Sequence, residues 1–218
     1  MRVRMTTVYR DWIDGLRDHV ARARIRVRVD RLVHGNPGAH RALREGVSEL
    51  KIDVGSGYRV HFTERGGELI ILLAGGDKAT QRRDIERAIE LSQNLPSRQS
   101  STHMPRTTRT NKTRSSAKPR PARRTRTVAY DVAKQLRTPK EMAAYLEAWL
   151  DEAPDDAVGI ARALGDIARA VGMSKVAKQS GLRRESLYKA LSEGGNPSLD
   201  TILRVARAVG VRFHASAA

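Results

Sequence analysis

The chain has 218 residues, a formal net charge of +17 and no cysteine. Disulfides, thiolate nucleophiles and cysteine-ligated metal sites are therefore excluded. No run approaches the roughly 18 apolar residues of a membrane span, and the first residues carry no apolar signal-peptide core, so we expect a cytoplasmic protein.

The excess positive charge is concentrated in one segment. Residues 96–127 carry ten Lys or Arg and no Asp or Glu, whereas residues 1–95 have a net charge of +5 and residues 128–218 of +2. A segment this basic, and this rich in Thr, Ser and Pro, has too little apolar surface to offset its ordering entropy. The sequence thus predicts a disordered linker at 96–127 between one domain at 1–95 and another at 128–218.

The first domain begins with a helical pattern. Apolar residues recur at three- and four-residue spacing from Ile13 to Leu32, which is typical of an amphipathic helix. Residues 21–29 also alternate between apolar residues and Arg, as a half-buried strand would. We favour helix because the three-four spacing begins upstream and no turn signal separates the segments.

A strand pattern follows the turn at residues 35–38. Apolar residues alternate with polar ones at 47–54 and at 58–63, with Gly55-Ser56-Gly57 as a tight turn between them. The apolar run at 69–74 predicts a central buried strand, and a helix capped by Asp77 or Thr80 closes the domain. With a short first strand at 2–6, the prediction is a small α+β domain around a three-stranded antiparallel meander.

Basic side chains share one face of this predicted sheet. If the apolar residues of the two alternating strands face the core, Glu49, Lys51, Arg59 and His61 lie on the opposite face, with Lys78 and Arg65 at its edges. Such a face would bind an RNA backbone and stabilise a pentacoordinate phosphate. The pattern alone favours the simpler interpretation of a solvated sheet face. The histidines do not have metal-ligand spacing, there is no cysteine, and phosphate-loop, dinucleotide and serine-nucleophile motifs are lacking, so neither metal nor cofactor is expected.

Three segments of the first domain, WIDGLRDHVARARIRVRVDRLVHGN, EGVSELKIDVGSGYRVHF and LLAGGDKATQRRDIERA, resemble the RelE/HigB-like addiction-module toxins, in the Gp49-like branch. The resemblance implies a RelE-like fold and a ribosome-dependent, metal-free mRNA endonuclease in which the RNA 2′-hydroxyl attacks the phosphate. It also implies that Arg59 stabilises the phosphate, Lys51 assists proton transfer and Lys78 holds the RNA. The further RNA-binding residues that we predict are His61, Arg65 and Arg44. Residues 39–44 depart from the branch pattern, and His61 stands where an aromatic residue is usual.

The second domain is predicted to be all-helical. Thr138-Pro139 with Glu141 matches a capping box that begins one helix. Farther on, Ala177, Gly181 and Leu187 have helix-turn-helix spacing within residues 173–213, with residues 184–192 as recognition helix. The alternative is a compact helical domain whose glycine turn is structural only. The predicted DNA-binding residues are Gln179, Arg183, Arg184, Ser186 and Lys189.

The segment from ALGDIARAVGMSKVAKQSGLRRESLYKALSEGGNPSLDTILRVARAVGV back through LRTPKEMAAYL is similar to HigA-like, Xre-type antidotes. The resemblance implies a protein that binds its toxin and, as a homodimer, represses its own operon. Arg183 stands at the N-cap position where this family commonly has Ser. The predicted toxin-binding residues are Met142, Tyr145, Trp149 and Leu150.

Together these patterns predict a toxin and its antidote on one chain, joined near Met104, so that the antidote would span residues 104–218. The expected partners are each half for the other, operator DNA, and the ribosome with its mRNA. Two alternatives are an autorepressor with an inactive toxin-like domain, and a toxin that poisons gyrase.

Overall fold

The computed structural model of the chain describes residues 1–96, 124–192 and 194–214. The N-terminal domain comprises strands β1 (Arg2–Thr6), β2 (His40–Ala42), β3 (Val47–Ile52), β4 (Tyr58–Arg65) and β5 (Leu69–Asp77), and helices α1 (Thr7–Gly15), α2 (His19–Val33) and α3 (Gln81–Gln93). The C-terminal domain, from residue 124, comprises strand β6 (Thr127–Ala129), a 3-10 turn (Val132–Gln135), and helices α4 (Pro139–Glu152), α5 (Ala157–Val171), α6 (Met173–Ser180), α7 (Arg184–Ala190) and α8 (Leu199–Ala208).

The sheet is larger and more mixed than the predicted meander. Its strand order is β2-β3-β4-β5-β1-β6, with β2 to β5 antiparallel, β1 parallel to β5, and β6 antiparallel to β1. The prediction of an α+β domain is confirmed, and so is the β3-β4-β5 meander. Within residues 39–44, which depart from the branch pattern, residues 40–42 form a strand that pairs with β3.

Residues just before the predicted boundary at 128 join the folded structure. The Thr125 N–H donates to the Asn94 carbonyl oxygen at 2.9 Å, and Thr127 begins β6. The C-terminal domain therefore contributes one strand to the sheet and is mainly, but not wholly, helical. Residues 97–123 of the predicted disordered linker, with the predicted join at Met104, lie outside the described residues.

Helix α2 is buried on two sides, which explains its ambiguous sequence. Ile25 and Val29 pack against the inner face of the sheet. Ala23 and Val27 pack into the core of the C-terminal domain. Apolar residues are thus needed on both sides of the helix, with arginines between them. The preference for helix over strand is confirmed.

The C-terminal domain forms around α4 and α5. Thr138 and Glu141 make the predicted capping box at the start of α4. Gly181 ends α6 with a φ of 69°, a left-handed conformation that glycine adopts without steric cost. Leu187 of α7 is fully buried, as its spacing predicted. None of the helices in the described part of the chain is long and apolar enough to cross a lipid bilayer.

Candidate functional site

Strands β3 and β4 bring Lys51 and Arg59 together. The two residues are directly opposite in the antiparallel register, which the turn at residues 55–57 sets. A pocket of about 330 Å³ opens beside them. Its lining consists of Ala39, His40, Arg41, Glu49, Lys51, Arg59 and Gln81.

Lys78 adjoins this pocket. It follows β5 directly, and its N–H donates to the Gly57 carbonyl oxygen at 2.9 Å. A Cβ placed on Gly57 would lie 3.9 Å from Nη1 of Arg59 and 4.0 Å from the Cβ of Lys78. All three predicted catalytic residues are therefore neighbours, with Arg59 largely buried and both lysines exposed.

One of the lining residues, Glu49, is a buried carboxylate. Gln81 Nε2 donates to both Glu49 oxygens, at 3.0 and 2.8 Å, and Arg41 Nε donates to Oε1 at 3.1 Å. Arg59 Nε lies 3.7 Å from the same oxygen. Glu49 thus orients two guanidinium groups and one amide around the pocket.

Sequence reasoning missed Glu49, Arg41 and Gln81 as site residues. A signal existed for Glu49, because period-two alternation along β3 puts it on the same face as Lys51. Arg41 pairs with Glu49 through β2, a strand that the sequence did not reveal. For Gln81, the first residue of α3, we find no comparable sequence signal.

His61, one of the predicted RNA-binding residues, lies inside the N-terminal domain. It is completely buried, with Nε2 3.3 Å from Oε2 of Glu49. Burial lowers the pKa of His61, and the nearby carboxylates of Glu49 and Asp84 only partly oppose this effect. Helix α3 packs against β4 on this part of the sheet. The RNA contact of His61 stays a prediction, at a residue that is enclosed in the domain.

Arg65 and Arg44 lie away from the pocket. Arg65 donates to the carbonyl oxygens of Ser92 at 3.1 Å and Pro96 at 3.2 Å, near the end of α3. It is six residues from Arg59 along β4, roughly 20 Å at about 3.3 Å per residue. Arg44 is exposed and pairs with Glu86 of α3. The structure therefore does not bring either arginine to the predicted RNA site.

The pocket is net positive. Arg41, Lys51 and Arg59 face a single lining carboxylate, and Lys51 Nζ also lies 2.9 Å from Oδ2 of the exposed Asp53. The hydrogen bond from Lys51 lowers the pKa of Asp53. In the described parts of the chain, no cluster of three or more His, Asp or Glu is arranged to hold a metal ion. Such a pocket suits an anion with several oxygen acceptors, of which a phosphodiester is one.

A second cationic surface surrounds α7. The five predicted DNA-binding residues are all exposed on α6, α7 and the turn between them. Arg183 occupies the N-cap of α7 without a side-chain capping hydrogen bond. The Arg184 guanidinium lies 5.5 Å from the ring centroid of Tyr188, an exposed aromatic residue that sequence reasoning did not select.

The predicted toxin-binding residues divide into two groups. Met142, Tyr145 and Trp149 are buried in the cluster that also contains Ala23 and Val27 of α2. Leu150 is 37% exposed and lies outside that cluster, because the next position along α4 turns away from α2. Leu150 stays a predicted toxin-binding residue, at a position outside the buried cluster.

Sequence reasoning missed a row of ion pairs between the domains. Glu141 Oε1 lies 2.9 Å from Arg22 Nη1, and Arg162 Nη2 lies 2.8 Å from Asp30 Oδ2. At the end of α4, the further pairs are Asp151 with Arg24, and Glu152 with Arg24, Arg28 and Arg31. The C-terminal domain thus binds the arginines of α2 and leaves the pocket lining uncovered.

The fold and the two cationic surfaces define a small α+β domain with an open pocket, docked on a helical domain. Residues 11–94 match the family model described as "Phage derived protein Gp49-like", and residues 126–217 match that described as "Probable addiction module antidote protein". The chain therefore carries a Gp49-like, toxin-type domain and an addiction-module antidote-like domain in one polypeptide.

Two curated relatives, both from Haemophilus influenzae and both named only "Uncharacterized protein", are similar to parts of the chain. One is 41% identical over 95 residues, which cover 44% of this chain and 96% of the relative. The other is 45% identical over 84 residues, which cover 38% of this chain and 84% of the relative. No solved structure matches the chain significantly.

Proposed function

We propose that the chain is a toxin–antitoxin fusion whose N-terminal domain is a RelE/HigB-like, ribosome-dependent mRNA endonuclease, neutralised by a HigA-like C-terminal domain. The observation that carries this proposal is the open cationic pocket, which combines Lys51, Arg59 and the buried carboxylate of Glu49. The matches to a Gp49-like and an antidote family support the pairing of the two domains.

The pocket residues suit transfer of a phosphodiester to the RNA's own 2′-hydroxyl. The 2′-oxygen bonds to phosphorus, the bond from phosphorus to the 5′-oxygen breaks, and a 2′,3′-cyclic phosphate and a 5′-hydroxyl result. Glu49 takes the 2′-hydroxyl proton, and Lys51 donates a proton to the leaving 5′-oxygen. Arg59 stabilises the charge on the pentacoordinate phosphate, and Lys78 binds the adjoining backbone.

The Arg59→Ala variant of the 1–96 fragment tests this proposal in growing cells. We expect the unaltered fragment to arrest growth and cut ribosome-bound mRNA, and Arg59→Ala to abolish both effects. Arg87→Ala, an exposed position on α3, is the matched control and should remain toxic.

Each alternative has its own outcome in the same experiment. If the unaltered fragment is harmless and leaves mRNA intact, the autorepressor with an inactive toxin-like domain is favoured. If growth stops while mRNA stays intact and DNA supercoiling changes, the gyrase poison is favoured.

The C-terminal domain is, in the same proposal, an operator-binding repressor. The exposed α6–Gly181–α7 surface supports a helix-turn-helix whose α7 enters the major groove. Arg184→Ala should weaken binding to the operator of its own gene by about 1–3 kcal/mol, measured at fixed salt, and Arg137→Ala should not. Equal binding by the Arg184→Ala and unaltered chains would contradict this role of α7.

Helix α8 is the candidate surface for the proposed homodimer. Leu199, Leu203 and Phe213 are 69, 45 and 37% exposed, and they form an apolar surface at the end of the chain's described part. Leu203→Glu should convert a dimer to a monomer in analytical ultracentrifugation. A chain that is monomeric before the substitution would contradict the proposal.

A further inference from the structure

One buried side chain, Arg28 of α2, connects the C-terminal domain to the pocket. Its Nη2 donates to the carbonyl oxygens of Ala39 at 3.1 Å and Lys51 at 3.4 Å, and both of these residues line the pocket. Its Nη1 lies 3.8 Å from Oε2 of Glu152, at the end of α4. A carboxylate of one domain and the pocket wall of the other thus share a single guanidinium.

The guanidinium fits closely beneath the segment that enters β2. A Cβ on Gly38 would lie only 2.2 Å from Nη1 of Arg28, so a residue larger than glycine would displace the arginine. The Lys51 N–H donates to the Ala39 carbonyl oxygen at 3.0 Å, which is one of the two oxygens that Arg28 also binds. Arg28 therefore holds β2 and β3 together at the point where they form the pocket wall.

The position of this guanidinium depends on the docked C-terminal domain. Burial lowers the pKa of Arg28, and the carboxylate of Glu152 is the strongest opposing influence. Arginine stays charged in proteins, and a buried charge without a partner is strongly unfavourable. Among the described residues, Glu152 supplies the carboxylate that forms an ion pair with Arg28. Loss of that carboxylate should therefore draw the guanidinium towards solvent and away from the two carbonyl oxygens.

We propose that the C-terminal domain sets the shape of the pocket through Arg28: Glu152 holds the guanidinium against the carbonyl oxygens of Ala39 and Lys51, and this contact fixes the strand that carries Lys51. Arg28 is a positioning residue and Glu152 is its anchor. The consequence for RNA rests on the function proposed above, whereas the connection itself is a property of the full chain. The C-terminal domain then acts on the pocket wall from a distance, since it leaves the pocket itself open.

The test compares Glu152→Gln with Asp151→Asn in the full chain. Both substitutions remove a carboxylate that pairs with Arg24, but only Glu152 reaches Arg28. The measurements are hydrogen exchange of the Lys51 amide and the NMR signal of the Arg28 guanidinium. We expect Glu152→Gln to speed Lys51 exchange about tenfold, as for loss of a charge-assisted contact, and to shift the Arg28 signal. Asp151→Asn should do neither.

The Arg28→Lys variant of the full chain tests the contact between Arg28 and the carbonyl oxygens of the pocket wall. Lysine keeps a positive charge, but its single ammonium nitrogen cannot face Glu152 and also meet the two carbonyl oxygens, as Nη1 and Nη2 of Arg28 do. Faster Lys51 exchange is expected here as well, with the domains still docked. Equal exchange in Glu152→Gln and Asp151→Asn, or unchanged exchange in Arg28→Lys, would overturn the proposal. Both readouts are independent of RNA cleavage, so they decide this question separately from the nuclease proposal.

Discussion

Glu49 is the residue on which the pocket geometry depends. Its two oxygens accept hydrogen bonds from Gln81 and Arg41, and the guanidinium of Arg59 and the imidazole of His61 lie within 4 Å. A buried carboxylate with so many donors is held in one orientation. It therefore helps to fix the guanidinium of Arg59, whose Nη1 also donates a hydrogen bond to the Tyr58 carbonyl oxygen.

The Glu49→Gln variant of the N-terminal fragment should lose RNA cleavage by about 10²–10⁴-fold, the usual contribution of a general base. Gln keeps the size of the side chain but can neither accept a proton nor balance Arg41 and Arg59. Rates of cleavage on ribosome-bound mRNA provide the measurement. Glu68→Gln, at an exposed turn, is the control and should retain full activity. Full activity in Glu49→Gln would remove this residue from the proposed mechanism.

The buried imidazole of His61 predicts a pH dependence of stability. Because burial depresses its pKa below the ordinary value of 6.5, the folded state binds a proton less readily than the unfolded state. The stabilisation is present above pH 6.5 and is lost as the pH falls through the folded-state pKa. Urea unfolding at several pH values should show this loss, and His61→Gln should reduce it. The same substitution at the exposed His40 should leave the pH dependence unchanged, and an equal effect at both positions would contradict the assignment.

At the level of elements, α2 and β5 show what the local sequence pattern can and cannot predict. Helix α2 was predicted because its apolar residues keep three- and four-residue spacing, even where they also alternate with arginines. The sequence could not show that one side faces the sheet and the other α4, since that depends on residues more than 100 positions away. Strand β5 was predicted to end before Gly75, yet it continues to Asp77. Glycine often ends a strand, but within a strand it also marks a close approach by another element.

Gly75 allows that close approach. A Cβ at this position would lie 2.1 Å from Cζ3 of Trp12, the α1 side chain that packs across β5. Gly75→Ala should therefore lower the free energy of unfolding by about 1–3 kcal/mol through overpacking. Gly15→Ala is the control, because a Cβ there meets nothing within 4 Å, and it should be neutral or slightly stabilising. Equal stability of the two variants in chemical denaturation would show that Trp12 moves aside at little cost.

At the scale of the whole molecule, the two-domain organisation and the meander could be predicted from composition and period. The remaining pairings could not, because they join distant segments without a local signal: β1 with β5, β2 with β3, and β6 with β1. The site divides in the same way. Lys51 and Arg59 follow from strand alternation, whereas the burial of His61 depends on where α3 packs. The arginines of α2 are evident in the sequence, but the carboxylates that pair with them are in the other domain, so the ion pairs could not be predicted.

Docking of the domains should survive cleavage of the chain. With a protease site inserted among residues 97–123, we expect the two pieces to co-elute in size-exclusion chromatography, since α2, α4 and β6 still supply the contacts. Trp149→Ala should separate them, because Trp149 is fully buried in the cluster shared with Ala23 and Val27. Leu150→Ala, at the exposed neighbouring position, should leave the complex intact. Circular dichroism would check that each variant is folded. Separation of the pieces by both substitutions, or by neither, would contradict the assigned interface.

The pairing of β6 with β1 has a consequence for the order of synthesis. The N-terminal domain leaves the ribosome first, with the outer edge of β1 and the arginines of α2 uncovered, and β6 follows only after residue 129 has been made. At about 5–20 residues per second, synthesis of residues 97–218 requires roughly 6–25 s. For that time each new toxin-type domain stands beside the ribosome that produced it, before the antidote-type domain has been completed and can dock on it. Because the two domains share a chain, that interval ends at the same stage of synthesis for every copy. An unequal amount of two separately translated proteins cannot lengthen it.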